Sequence, residues 1–173
     1  MKAVGFILIS LLFIETIAGQ TNFKSQKYGY SFTIPNGWRV KDQTVMPGTD
    51  VLVVDDRGNS FVVKVTQLPA EYRNITSISI LENATNQELI ELWAPTYDNT
   101  KILRRGTTIV DGKDFYFVHI SYPWEDGLRL IHKMFMYNWK GHTFTLNCAS
   151  ISSMTVQTSV FFDLMLNTFR FPK

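Results

Sequence analysis

The residues of this chain that could do chemistry are few and widely spaced. His119, His132 and His142 are its three histidines, Cys148 is its one cysteine, and Asp55, Asp56 and Asn59 gather around Gly58. A zinc site or a metal-assisted base would need partners at fixed spacing, such as the H-E-x-x-H pair or a Cys-x-x-Cys, and neither occurs. Each histidine therefore reads as a satisfied or solvated structural residue: His132 alternates with Leu130, Met134 and Met136, and His142 adjoins the turn at Gly141. Cys148 alternates with Phe144 and Leu146 on one strand face, the setting of a buried thiol that packs as a small hydrophobe. A lone cysteine makes no intramolecular disulfide, so stability must come from packing.

Two stretches imitate ligand loops. GTTIVDGK (106–113) has the glycines and lysine of a phosphate loop, but Asp114 stands where Ser or Thr belongs and a strand pattern follows in place of a helix. The glycines are also one residue too far apart, so it reads as a hairpin. Asp55, Asp56 and Asn59 lack EF-hand spacing and fit a polar hairpin loop. No catalytic, cofactor-binding or metal-binding residue is expected, and no cofactor.

One stretch faces outward by its composition. PWEDG (123–127) carries Trp124 beside Glu125 and Asp126 between two strong strands; an indole on a rigid loop is a common interface anchor, and just as often it folds back over a sheet edge as a packing residue. Trp124, Glu125 and Asp126 are the candidate residues for binding a protein partner. Asn74-Ile75-Thr76 and Asn83-Ala84-Thr85 are glycosylation acceptors if the producing cell uses them, both expected in the polar connection before the first helix.

The elements that would position these residues begin after a trafficking segment. Lys2 supplies a short positive start, AVGFILISLLFI (3–14) is apolar, and TIAG (16–19) offers small residues for a signal peptidase. Crossing a membrane takes roughly 20 apolar residues, and Glu15 ends the run early, so cleavage is expected over anchoring. No cysteine follows for lipidation. Residues 1–19 thus read as a secretory signal and 20–173 as a single domain, soluble after export, long enough to close one core. The formal net charge of +2 is unchanged when Lys2 and Glu15 are lost, and no long basic or acidic block argues for nucleic acid or a membrane surface.

Residues 30–34, 50–54, 60–68, 101–110, 114–122, 128–137 and 142–149 are rich in β-branched and aromatic residues and bounded by turn formers, so they read as strands. Asp111-Gly112 and Lys140-Gly141 fit two-residue hairpin loops, which makes the last four strands an antiparallel meander. Thr85 and Glu88 form a capping box for a helix over 86–94, which Pro95 stops. A second helix over 154–168 carries Val156, Val160, Phe161, Leu164, Met165 and Thr168 at three- and four-residue intervals, widened by Phe162, Leu166 and Phe169, and should pack deeply on the sheet. In YGYSFTIPNGWRV (28–40), Pro35 ends a strand, Asn36-Gly37 reverses the chain, and Trp38 is thereby delivered to the core.

YSFTIPNGW (30–38) resembles the opening motif of PsbP-like proteins, the family of the extrinsic oxygen-evolving subunit of photosystem II, with exported bacterial relatives and a nuclear Ran-binding branch. KGHTFTLNCAS (140–150) and FFDLMLNTFRF (161–171) are similar to that family's final strand and closing helix. The resemblance implies an α+β fold, an antiparallel sheet with helices on both sides, and a mostly non-catalytic role. The long arm by which photosynthetic members dock has no counterpart between Gln20 and Tyr28, so a non-photosynthetic member is expected. The reading that follows is a non-catalytic extracytoplasmic binding or assembly-support module. The alternative is a cofactor-free enzyme or small-ligand carrier using a groove between sheet and helix, with His132, Arg104 or Arg105 as polar contacts.

Overall fold

The computed structural model describes residues 19–41, 47–94 and 97–173, so the apolar run of the expected signal and Pro95 lie outside the described residues. The fold is α+β. Strands β1 (Thr21–Lys24) and β2 (Ser31–Ile34) make a two-stranded antiparallel ribbon. Strands β3 (Arg39–Lys41), β4 (Thr49–Val54), β5 (Ser60–Gln67), β6 (Lys101–Val110), β7 (Lys113–Pro123), β8 (Arg129–Trp139) and β9 (His142–Ile151) make a seven-stranded sheet in the order β3-β4-β5-β9-β8-β7-β6. Every neighbouring pair is antiparallel.

The meander is present as β6 to β9. Its β6–β7 and β8–β9 hairpins close with Val110 opposite Lys113 and Trp139 opposite His142, leaving two-residue loops. Asp111 and Gly112 have φ of 51° and 69°, and Lys140 and Gly141 have 47° and 76°, so both central residues of each loop are left-handed, as tight hairpins require. The apparent phosphate loop is therefore the β6–β7 hairpin. The aspartates form the β4–β5 loop: the Asp55 carboxylate accepts from the backbone N–H of Arg57 (2.9 Å) and Asn59 (2.8 Å).

Side-chain alternation gives the large sheet two apolar faces. Phe115 and Phe117 of β7 join Phe135, Phe144, Leu146 and Cys148 on one face, covered by helix α3 (Thr155–Thr168) and the β1–β2 ribbon. Tyr116, Val118, Ile120 and Tyr122 join Met134 and Met136 on the other, covered by helices α1 (Ser77–Leu81) and α2 (Asn86–Trp93). Helix α2 starts at the expected capping box: the Thr85 hydroxyl accepts from the Glu88 N–H (3.2 Å), and the Glu88 carboxylate accepts from the Thr85 N–H (2.7 Å).

The opening motif performs its turn. The Trp38 N–H donates to the Pro35 carbonyl (3.2 Å), Gly37 has φ of 77°, and Trp38 packs against Phe162 of α3 with ring centroids 5.7 Å apart. At the other end of the chain, Ser31 and Arg170 exchange two backbone hydrogen bonds of 2.9 and 2.8 Å, which sews the tail to β2. Phe169 stacks on Tyr30 at 5.2 Å, and Phe171 meets Phe144 edge-on at 5.1 Å.

Four expectations need correction. The buried side of α3 is Thr158, Phe162, Met165 and Leu166, while Val156 is 82% exposed and Val160 68%. A helix apolar around most of its circumference carries no periodicity that selects a face, and the aromatic floor of the sheet selects it instead. The first helix is α1, not the helix over 86–94. The two acceptor sequons consequently flank α1, with Asn74 before it and Asn83 after it, both exposed. Strands β1 and β3 were not expected either, since each is three or four residues long and is defined by its pairing partner.

Candidate functional site

The candidate partner-binding residues sit at the β7–β8 end of the sheet. Pro123 still pairs with Arg129 in the ladder, after which the Trp124 N–H donates to the Leu128 carbonyl (2.8 Å) and the Leu128 N–H to the Glu125 carbonyl (3.1 Å). Asp126 (φ 56°) and Gly127 (φ 73°) are consecutive left-handed residues, a reversal that only a short polar side chain and a glycine accommodate easily. Residues 124–128 are all exposed, and Trp124 is 41% accessible. Its indole does not hang free. Tyr97 stacks on Tyr122 with centroids 4.2 Å apart, and Trp124 leans on the pair at 6.3 and 6.5 Å.

Arg129 fastens this platform. Its Nε donates to the Ser121 hydroxyl (2.9 Å), and its Nη2 donates to the carbonyls of Ser121 (2.9 Å) and Asn99 (3.0 Å). The guanidinium therefore ties the base of the loop to the segment that carries Tyr97. The result is an apolar patch of Tyr97, Trp124 and Leu128 with Glu125 and Asp126 beside it. Tyr97, Leu128 and Arg129 were not picked out from the sequence. Leu128 and Arg129 directly follow PWEDG and could have been, whereas Tyr97 lies far away along the chain and reaches the loop only through packing.

The histidines are dispersed, as their spacing suggests. His132 is partly buried on the α1/α2 face, where its Nδ1 shares a hydrogen bond with the Tyr122 hydroxyl (3.3 Å), and burial lowers its pKa from 6.5 to about 4. His119 faces α3 and is held down to about 4 by burial and by the charges of Lys133 and Arg104. The His142 Nδ1–H donates to the Lys140 carbonyl (3.1 Å) at the hairpin. Cys148 is fully buried, and burial pushes its thiol pKa up, away from thiolate reactivity. Among the described residues no three His, Cys, Asp or Glu side chains converge as a metal site.

The polar trio of the alternative reading is not brought together. Arg104 lies with His119 in a cleft under α3, while His132 belongs to a groove beside α2 on the opposite face. Arg105 donates to the Ala84 carbonyl just ahead of α2. The sheet's alternation separates Arg104 from Arg105, because neighbouring residues on a strand point to opposite faces.

The sequence model of the PsbP family matches residues 18–171. The chain belongs to the PsbP family. No curated protein matches it. Cyanobacterial PsbP from Synechocystis, a solution structure, shares the fold with a TM-score of 0.67 at 17% identity, covering 99% of each chain. LpqN of Mycobacterium tuberculosis, described as involved in cell envelope biogenesis, is similar with a TM-score of 0.62 at 12% identity, over 88% of this chain and 91% of that one. The Ran-binding protein Mog1p of Saccharomyces cerevisiae is similar with a TM-score of 0.57 at 8% identity, over 88% of this chain and 95% of that one.

In this PsbP-family chain the first and last of the three motifs meet in space: YSFTIPNGW contributes β2 and the Trp38 turn, and FFDLMLNTFRF contributes α3 and the tail that pairs with β2. They are the closing seam of the fold. Among the described residues no helix is long and apolar enough to cross a membrane.

Proposed function

We propose that this chain is an exported, non-catalytic binding or assembly-support module that docks a partner protein at the β7–β8 end of its sheet. The observation that carries the reading is the half-exposed Trp124 indole braced on Tyr97 and Tyr122, on a loop whose ends Arg129 holds. A side chain already ordered before binding loses little entropy on docking. Glu125 and Asp126 make the rim acidic and favour a partner surface bearing Lys or Arg. That the Mog1p relative is a Ran-binding protein supports a protein-binding use of this fold.

Trp124→Ala should weaken partner binding thirtyfold or more, since truncating a central indole costs at least about 2 kcal/mol. Its effect on the unfolding midpoint should be small beside that of a core tryptophan. Affinity and denaturant curves on the same variant decide it: unchanged affinity with a large loss of stability would make Trp124 a packing residue.

Export rests on the apolar run at 3–14 and on a family match that begins just beyond it, at residue 18. N-terminal sequencing of the exported protein should read a start near Gly19, Gln20 or Thr21. Protein still beginning at Met1 in a membrane pellet would overturn cleavage.

A second reading has one observation in its favour. The groove beside α2 measures about 640 Å³ and is lined by Leu52, Val62, Trp93 and Met134 with Lys64 and His132 among them. A small-ligand carrier would use that space, and a metabolite that raises the melting temperature without any captured protein partner would favour it.

A further inference from the structure

On the α3 face, three strands and the helix line an open cleft of about 250 Å³. Arg104 and Thr108 of β6, His119 of β7, Lys133 of β8, and Asp163 and Asn167 of α3 line it. The cleft's charges do not cancel. Neither Arg104 nor Lys133 makes an ion pair with any described residue, and their close contacts are with ring faces: the Arg104 guanidinium is 5.3 Å from the centre of Phe117, and the Lys133 ammonium 6.0 Å from that of Phe162. Asp163 is the cleft's one carboxylate, so with a neutral imidazole the lining keeps a net positive charge. The Nε2 of His119 is buried and has no hydrogen-bond partner. A buried polar atom left unpaired in a native fold calls for an explanation, and here the cleft supplies one.

We infer that this cleft binds a small tetrahedral oxyanion of the sulfate or phosphate class. A guanidinium fork, an ammonium, an imidazole N–H and a threonine hydroxyl reach it from three strands, which suits four oxygens around one centre better than the planar pair of a carboxylate. The rings of Phe117 and Phe162 lie against the Arg104 guanidinium and the Lys133 ammonium. The occupant would give the His119 nitrogen an acceptor and neutralise the two cations that face it.

Binding is coupled to a proton on His119. Burial and then the charges of Lys133 and Arg104 work against the imidazolium, and an anion offsets those charges, so the His119 pKa rises on binding from about 4. By linkage the anion binds more tightly as the pH falls toward that value. Asp163 also faces the site, so the pH dependence is to be read in Asp163→Asn as well as in the wild type. His132, with the same lowered pKa on the opposite face of the sheet, serves as an internal reference.

The test is a pH titration of the imidazole NMR signals of the full folded chain, in sodium sulfate and in sodium chloride of matched ionic strength. Sulfate remains a dianion throughout, so its own protonation does not intrude. The expected result is that sulfate moves the His119 midpoint up to about 5 or above and leaves His132 in place. Arg104→Gln and Lys133→Gln should each weaken sulfate binding at least tenfold while the His132 signal reports an intact fold. Equal movement of both histidines, no movement in sulfate, or sulfate binding that survives both substitutions would overturn the assignment. Acetate moving His119 as far as sulfate does would overturn its tetrahedral class.

Discussion

Deleting Phe169 to Lys173 should leave a chain without a cooperative unfolding transition. The five residues end the sequence and belong to no long element, but Phe169 is fully buried and Phe171 nearly so. Phe169 lies between the Tyr30 ring and Phe171, and Phe171 in turn contacts Phe115, Tyr137, Trp139 and Phe144. Truncating one such phenylalanine costs about 3–5 kcal/mol. The two touch, so their costs are not simply additive. Losing both, together with the Ser31–Arg170 backbone pair and the hydrogen bond from the Phe171 N–H to the Asp111 carboxylate (2.8 Å), still approaches the whole stability of a domain, about 5–15 kcal/mol. Circular dichroism and a denaturant curve would show it. Removing the exposed Lys173 alone should change the midpoint by no more than about 0.5 kcal/mol, which separates the aromatic seam from any general effect of shortening. A five-residue deletion that unfolded like the wild type would show that the seam is dispensable.

Trp38→Ala should cost about 3–5 kcal/mol, the range for a large buried aromatic. The indole is 8% exposed and contacts both Phe161 and Phe162, so it links the turn after β2 to α3. The turn itself can be tested apart from the indole. A Cβ built at Gly37 meets nothing within 4 Å, so any loss in Gly37→Val comes from holding a β-branched residue at φ 77° and not from a clash. That loss should be about 1–3 kcal/mol, and Gly37→Asn, which tolerates the left-handed region, should lose much less. Denaturant midpoints at unchanged slope give all three values. Wild-type curves for Trp38→Ala and Gly37→Val together would mean that the turn and the indole are peripheral to the fold.

These two effects bear on how much of the protein can be read along its chain. Local signals carried the long strands, both two-residue hairpins, the capping box at Thr85 and the reversal at Asn36-Gly37, because each depends on the conformational preferences of adjacent residues. The same holds for burial of Cys148, Phe144 and Leu146, which strand alternation places on one face wherever that face is covered. The structure keeps His119, His132 and His142 in separate surroundings, but the satisfied or solvated setting expected of each does not hold at His119, whose buried Nε2 has no hydrogen-bond partner.

What the chain's own order could not decide was which surfaces meet. The face of α3 that turns inward is chosen by Trp38 and the phenylalanines of the sheet, since a helix apolar on most sides offers no preference of its own. Strands β1 and β3 and helix α1 are too short to carry a hydrophobic period, and they exist through the partners that complete their hydrogen bonds or cover their apolar residues. The bracing of Trp124 by Tyr97, the clamp of Arg129 on Asn99, and the gathering of Arg104, His119 and Lys133 under α3 each join residues distant in sequence. Type and spacing determined which residues could serve a site, and register between strands determined which of them share one, because a strand turns successive side chains to opposite faces and only pairing brings separate strands together.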